Sequence, residues 1–223
     1  MNRISAKLTD RLGRIRANTV GVSAEDVRKL KLTPTLVEDI FECLESSEMI
    51  DKQMALFFSE TLIEPGKLTV AQEDKLISLV KDLSQAKIKQ VRPACYNFLR
   101  KFHIKVPEYR QLMLKGLIDP DPIVRKEALL GYPTYGRPNE VLPLEPFETD
   151  SYFAEISMNG PLIFELRNLA LETIERTIGK KFTKAEKADT TPDGEVVFWW
   201  DWTPYHRWKK HWLNRIFRRT DRE

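Results

Sequence analysis

Residues suited to metal binding or nucleophilic catalysis are scarce in this chain, which has two cysteines and three histidines. Cys43 and Cys95 both fall in predicted helices, a pattern typical of free buried thiols in a reducing compartment rather than of a disulfide framework. His206 and His211 are five positions apart on a predicted helix, so their rings point in different directions. We therefore expect no metal site, no cofactor and a cytoplasmic location.

Long apolar runs and nucleotide-binding glycine loops are missing as well. The longest apolar stretches, such as 54–58, are too short to cross a bilayer, and residues 1–16 lack the apolar region of a secretory signal. No phosphate-binding loop, nucleophile elbow or His-Glu-x-x-His motif occurs. A net charge of +3 does not by itself require a nucleic-acid partner. The sequence favours a folded, non-catalytic protein without a membrane span.

A five-residue pattern, by contrast, occurs four times: a basic residue, two variable positions, a small residue and a large apolar or aromatic residue. The copies begin at Lys52, Arg92, Arg125 and Arg167. Their intervals of about 33 to 42 residues are typical of helical hairpins that stack into solenoids. The small residue lets the partner helix approach closely, and the large residue fills the groove between neighbours. The pattern therefore predicts a packing device that repeats along the chain.

The pattern resembles the second helix of a HEAT repeat. In 119–129 an Asp-Pro turn is followed by Val-Arg and then by Ala-Leu, and shorter parts of the pattern occur at 166–171, 91–96 and 52–56. The resemblance covers about residues 33–178 and implies an all-α solenoid of about four hairpins. It also implies that each basic residue reaches a carboxylate or carbonyl of the adjacent repeat, and that the protein acts through its surface.

Capping signals and proline positions predict where the helices begin and end. Thr33 with Pro34, Thr69 with Gln72, and Asp121 with Pro122 predict three helix starts. Pro93 predicts a late start or a kink in the helix over 89–102. Further along the chain, the sequence predicts a short helix over 151–158 and a long helix from Ile163 to Ile178 that Gly179 ends. A loop over 180–191 and a turn at 192–194 follow. The last predicted elements are an extended segment over 196–200 and a final helix from Thr203 to about Arg219.

Two segments lie outside the repeats. Residues 1–18 are basic and amphipathic, with Ile4, Leu8, Leu12 and Ile15 on one predicted helical face. We interpret this segment as a helix that caps the first repeat; a membrane-surface helix and an organellar targeting segment are the alternatives. Residues 132–150 are acidic and rich in proline, and form either a functional loop or a strap over the apolar edge of the third repeat.

All five tryptophans lie between 199 and 212. Tyr205, Trp208, Trp212 and Ile216 share one face of the final helix, which we expect to cap the last repeat. At least one of Trp199, Trp200 and Trp202 should face away from the others, because side chains alternate along an extended segment. The candidate partner-binding residues are Trp200, Trp202, Tyr205, Arg207, Lys210, His211 and Arg218.

The basic residues of the final helix suit more than one role. Cations interleaved with aromatic rings can contact phosphates and stack on bases. A solvated face and internal pairing with the acidic segment 132–150 are the alternatives. Some HEAT-like proteins are DNA glycosylases that hold cationic alkylated bases with tryptophans and an aspartate. Trp200, Asp201 and Trp202 supply those residue types, although that class spreads its tryptophans over the inner repeat helices.

These observations predict a single solenoid domain over 1–223 that serves as a non-catalytic scaffold for another protein. An adaptor, an assembly factor and an immunity-type inhibitor all fit, with binding through the inner helices and the segments outside the repeats. A nucleic-acid-binding protein that uses Arg207, Lys210, Arg215 and Arg218 is the alternative, and a HEAT-like glycosylase is a further one.

Overall fold

The computed structural model describes residues 23–133, 138–152, 154–155 and 161–220 of the chain. The amphipathic helix predicted over 1–18 lies outside these residues. Helices predominate in the described part, which confirms a mostly helical chain, and none of the helices found there has the length and apolar character that a bilayer crossing needs. The chain divides into two compact units, Met1–Leu112 and Met113–Glu223, and each is described by itself. The single domain over 1–223 stays a prediction.

The first unit is built around two helical hairpins. After α1 (Ala24–Arg28), α2 (Pro34–Glu45) pairs with α3 (Met49–Leu62), and α4 (Val70–Ser84) pairs with α5 (Arg92–Lys101). A short 3-10 helix, His103–Lys105, follows. Between the hairpins, α2 contacts α4 and α3 contacts α5. The first helix of one hairpin therefore packs on the first helix of the other, and the two second helices also pack on each other.

The predicted helix starts are confirmed in detail. The Thr33 hydroxyl accepts a hydrogen bond from the Leu36 N–H at 3.3 Å, and Thr69 and Gln72 form a reciprocal capping box. α5 begins at Arg92, so Pro93 lies in its first turn, where a missing N–H leaves no helical hydrogen bond unmade. Of the two alternatives for this helix, the late start is the one observed.

The small and large residues of the four motif copies are buried. Ala55, Cys95, Ala128 and Ala170 have no exposed surface, and the large residues that follow them are at most 2% exposed. Both cysteines are buried and free, as predicted. In each of the four copies, the small residue and the large residue are therefore packed inside the protein.

The basic residues of the first three motif copies bind the turn of their own hairpin. Lys52 Nζ donates to the Ser46 carbonyl, Arg92 Nη1 to Ala86 at 3.5 Å, and Arg125 Nη1 to Asp119 at 3.0 Å. Each acceptor lies six residues earlier, just past the end of the preceding helix. Carbonyls there lack helical partners, and the negative end of the helix dipole attracts a cation. These contacts lie within one hairpin, whereas the resemblance implied contacts to the adjacent repeat.

The second unit combines helices with a small sheet. α6 (Tyr109–Leu117) contains the division point between the units, and α7 (Pro122–Gly131) follows it. The remaining elements are a proline-rich 3-10 helix (Pro138–Thr149), β1 (Ala154–Glu155), β2 (Leu162–Ile163), α8 (Glu165–Ile178), β3 (Glu186–Thr190), β4 (Val196–Trp200) and α9 (Thr203–Thr220). α8 packs on α7, on the proline-rich 3-10 helix and on β4, so it is the central helix of the unit.

The sheet corrects three predictions. Its order is β1-β2-β4-β3, with β2 parallel to β4 and the other two pairs antiparallel. β1 at Ala154–Glu155 replaces part of the helix predicted over 151–158, and Ile163 belongs to β2 instead of the long helix. β3 lies inside the predicted loop 180–191, because pairing with β4 makes an otherwise polar segment extended. The extended segment 196–200, the stop at Gly179 and the final helix are confirmed.

Candidate functional site

In the proline-rich 3-10 helix, side chains three positions apart align in rows, because this helix has three residues per turn. Val141, Leu144 and Phe147 form one row and are at most 4% exposed. The next row contains Glu145 and Glu148, here called the acidic row. The buried row packs this segment against α8. The strap over the apolar edge of the third repeat stays a prediction.

The acidic row holds the final helix by charge. Lys209 Nζ lies 2.5 Å from Glu145 Oε1, and His206 Nε2 lies 2.9 Å from Glu148 Oε2. The Tyr205 hydroxyl donates to the same Glu145 oxygen as Lys209. Burial and the neighbouring Glu145 carboxylate raise the pKa of Tyr205. The internal pairing between the basic C-terminus and segment 132–150 is thus observed.

An aromatic face on α9 packs inside the second unit. Tyr205 is fully buried, and its ring centroid lies 6.0 Å from that of Phe182. Trp208 also contacts Phe182 and stacks on Trp212 with ring centroids 6.2 Å apart. Trp202 is 1% exposed and lies edge-on to Tyr205. Trp202 and Tyr205 are therefore core residues, which corrects their prediction as residues that contact a partner.

The opposite side of α9 is exposed and is called the basic face. It consists of Arg207, Lys210, His211 and Asn214. The spacing of these residues places them away from Tyr205, Trp208 and Trp212 on the same helix. Arg218 also belongs to α9, with its side chain outside the described set. The predicted residues Arg207, Lys210 and His211 thus lie together on a free surface, and their role in binding stays a prediction.

The aromatic residues of β4 lie among cations. The Arg167 guanidinium is 3.7 Å from the Phe164 ring centroid and 5.5 Å from that of Trp199, and Lys187 lies 5.3 Å from Trp199. Burial lowers the pKa of Arg167, opposed by nearby carboxylates that include Asp150. Arg167 Nε also donates to the Asp150 carbonyl at 2.6 Å. This fourth motif arginine therefore packs between rings and has a structural role.

Trp200 is the predicted binding residue that lies beside open space. Its backbone N–H donates to Asn168 Oδ1 at 2.8 Å, and its ring is half-buried. Side chains alternate along β4, so Trp200 and Phe198 share the face opposite Val197 and Trp199. A cavity of about 370 Å³ lies here. Its lining is Pro161, Ile163, Asn168, Glu172, Glu186, Phe198, Trp199 and Trp200.

Asp201 fixes the start of α9. Its Oδ1 atom accepts hydrogen bonds from the Thr203 N–H at 3.1 Å and from the Thr203 hydroxyl at 2.8 Å. Lys187 Nζ lies 2.7 Å from the same oxygen. The hydrogen bond from Lys187 is the main cause that lowers the pKa of Asp201 to about 2. The carboxylate is therefore charged, and its Oδ1 atom is engaged by Thr203 and Lys187.

Sequence reasoning did not single out the acidic row or Glu186. The spacing of Val141, Leu144 and Phe147 by three is a signal that could have indicated a 3-10 helix and so placed Glu145 and Glu148 on one side. Among the residues that the structure describes, no group of three or more His, Cys, Asp or Glu side chains is arranged to hold a metal ion. No family model, curated protein or solved structure matches the chain.

Proposed function

We propose that this chain is a HEAT-like helical-hairpin protein that binds another protein and catalyses no reaction. The paired contacts between α2 and α4 and between α3 and α5 support stacked hairpins in the first unit. The burial of every small and large motif residue supports the same architecture. α9, whose aromatic face packs inside the second unit, is then the capping helix of the stack.

One observation supports the binding function most directly: α9 is held on one side and presents charge on the other. Lys209 and His206 pair with the acidic row while Arg207, Lys210 and His211 face solvent. A helix already fixed in place loses little conformational freedom on association. Its basic face suits an acidic surface on a partner protein.

Affinity capture with the full chain tests this function. We expect a protein that is retained by the wild type and lost from the double variant Arg207→Glu, Lys210→Glu. The matched control is Lys67→Glu with Lys115→Glu, two exposed lysines that do not belong to α9. With the purified partner, reversal of the two basic-face charges should weaken binding about tenfold or more, and the control should not. Failure to retain any stoichiometric partner would reject the function; equal loss in both variants would reject the site.

A second candidate is nucleic-acid binding, which the charge of α9 favours. Residues 203–220 include six Lys or Arg and no Asp or Glu. Stacking on bases is less suited to this helix, since Trp208 and Trp212 stack on each other on the side away from the basic face. This leaves phosphate contact as the mode of binding.

Titration of labelled duplex and single-stranded oligonucleotides distinguishes the two candidates. A nucleic-acid binder should bind at low salt, weaken steeply as salt is raised, and lose binding in Arg207→Glu, Lys210→Glu. Absence of binding to both forms at low salt removes this candidate. The glycosylase alternative predicts release of alkylated bases that Asp201→Asn abolishes; we expect no release, because Lys187 and Thr203 already engage that carboxylate.

A further inference from the structure

The cavity beside Trp200 combines aromatic walls with acidic groups. Phe198, Trp200, Ile163 and Pro161 contribute apolar surface, and Glu172 and Glu186 contribute the charged groups. Neither lysine nor arginine occurs among the described residues that line it. A volume of about 370 Å³ is within the usual range of ligand sites and exceeds that of a single side chain.

The two carboxylates differ in their surroundings. Glu172 Oε1 lies 3.3 Å from Lys184 Nζ, a cation that it shares with Glu175. No hydrogen bond or ion pair joins the Glu186 side chain to another of the described residues, and that side chain is exposed. Glu186 is therefore the lining carboxylate that has no ion-pair partner among the described residues.

Strand register places Glu186 beside the Trp200 ring. The two residues are directly opposite each other in the antiparallel pair of β3 and β4. The Asp201 N–H donates to the Ala185 carbonyl at 2.8 Å, so the next pair, Glu186 with Trp200, is a non-hydrogen-bonded pair. Side chains of such pairs are the closer ones in an antiparallel ladder. A carboxylate and an indole ring thus border the same space.

Several rings of this unit have a basic side chain beside them. Arg167 lies over Phe164 and Trp199, Lys187 over Trp199, and Lys184 Nζ is 5.7 Å from the Trp200 ring centroid. A ring face and a carboxylate together hold a cation by quadrupole attraction and by ion pairing. The apolar walls suit the methylene stem that links such a cation to a backbone.

We propose that this cavity binds a lysine or arginine side chain from a basic segment of a partner protein, with Glu186 and Trp200 as its contacts. The inference extends the proposed protein-binding function by assigning a second contact surface and the chemistry of the partner segment. It is tested with free peptides, so its failure leaves the capture experiment on α9 unaffected.

The test is a titration of the full chain, labelled with ¹⁵N at the tryptophan indoles, with capped alanine-based peptides. The central residue is lysine, arginine or norleucine, an uncharged straight chain close to lysine in shape. The Trp200 indole signal is assigned with Trp200→Phe. We expect saturable shifts of this signal with the lysine and arginine peptides and about tenfold weaker binding of the norleucine peptide.

Variants on the same hairpin complete the test. Glu186→Gln should weaken lysine-peptide binding about two- to fivefold, and Glu195→Gln, an exposed carboxylate at the turn of the hairpin, should leave it unchanged. The remaining indole signals verify that each variant is folded. Equal binding of the norleucine peptide would identify an apolar site and overturn the proposal. Absence of saturable shifts with any peptide, or wild-type affinity in Glu186→Gln, would overturn it as well.

Discussion

Lys209 and Glu145 form an ion pair, 2.5 Å between Nζ and Oε1, that ties the final helix to the proline-rich 3-10 helix. The same carboxylate oxygen accepts the hydrogen bond of the buried Tyr205 hydroxyl. One side chain therefore serves two partners on α9, at positions four residues apart. We infer that the placement of the basic face depends on Glu145 more than on any surface charge.

Glu145→Ala should destabilise the protein by about 1–3 kcal/mol, because it leaves the buried Tyr205 hydroxyl without its acceptor and removes the Lys209 ion pair. The free energy of unfolding in urea measures this loss. Glu148→Ala is the matched control, since its partner His206 is about half exposed, 47%, and such pairs contribute less than about 1 kcal/mol. Equal losses in the two variants would contradict the special position of Glu145.

Arg125→Ala should lower the free energy of unfolding by about 2–3 kcal/mol. The change removes hydrogen bonds to the carbonyls of Asp119 and Pro120 and an ion pair to Asp150 at 3.1 Å. Lys115→Ala, at an exposed position, is the control and should change stability by less than about 0.5 kcal/mol. A loss no larger than the control's would mean that the turn contacts of the motif add no stability.

Asp201 should make part of the stability dependent on pH. Its pKa in the folded protein, about 2, lies below the ordinary value of 3.8, so its stabilising contribution is present at neutral pH. This contribution is lost as pH falls from about 4 through about 2. Asp201→Asn should therefore be less stable than the wild type at neutral pH and equally stable near pH 2. Urea unfolding of both proteins over this range measures the difference, and a difference that stays constant would contradict its electrostatic origin.

Both thiols should be unreactive in the folded protein. Cys43 and Cys95 have no exposed surface, and burial raises the pKa of Cys95, which disfavours its reactive thiolate. We expect an aromatic disulfide reagent to titrate no thiol in native buffer and both in denaturant. Rapid reaction of either thiol in native buffer would show that its helix opens locally.

Helix starts and the final helix could be predicted because their signals are local. A capping hydroxyl and a first-turn proline act within a few residues, as Thr33 and Pro34 do for α2. The same holds for Gly179, whose φ of 66° is the left-handed conformation that ends α8. Residues close in sequence determine these features, so sequence alone is sufficient to locate them.

β3 could not be predicted because none of its own side chains requires it. All five of its residues are exposed, and they alternate neither in charge nor in polarity. Its extended form comes from pairing with β4, so the signal lies in the sequence of β4 and not in that of β3. The burial of Trp202 could not be predicted for a related reason, because it depends on contacts with Tyr205 and the rest of the second unit.

Glu145 and Glu148 are three positions apart, a spacing that places two side chains on one side of an α-helix or of a 3-10 helix. Pro143 and Pro146 gave a warning that no α-helix forms there. The sequence therefore indicated that the two carboxylates align, whereas their pairing with Lys209 and His206 is known only from the structure.

The pairing of α9 with the acidic row also limits how the chain can change in length. His206 pairs with Glu148 and Lys209 with Glu145, so the two helices run in opposite directions. One residue inserted after Pro143 would rotate every later row of the 3-10 helix by about a third of a turn. Glu145 and Glu148 would then point away from α9, and Phe147 would point away from the core. We expect homologous chains to vary the length of this segment in steps of three residues, or not at all.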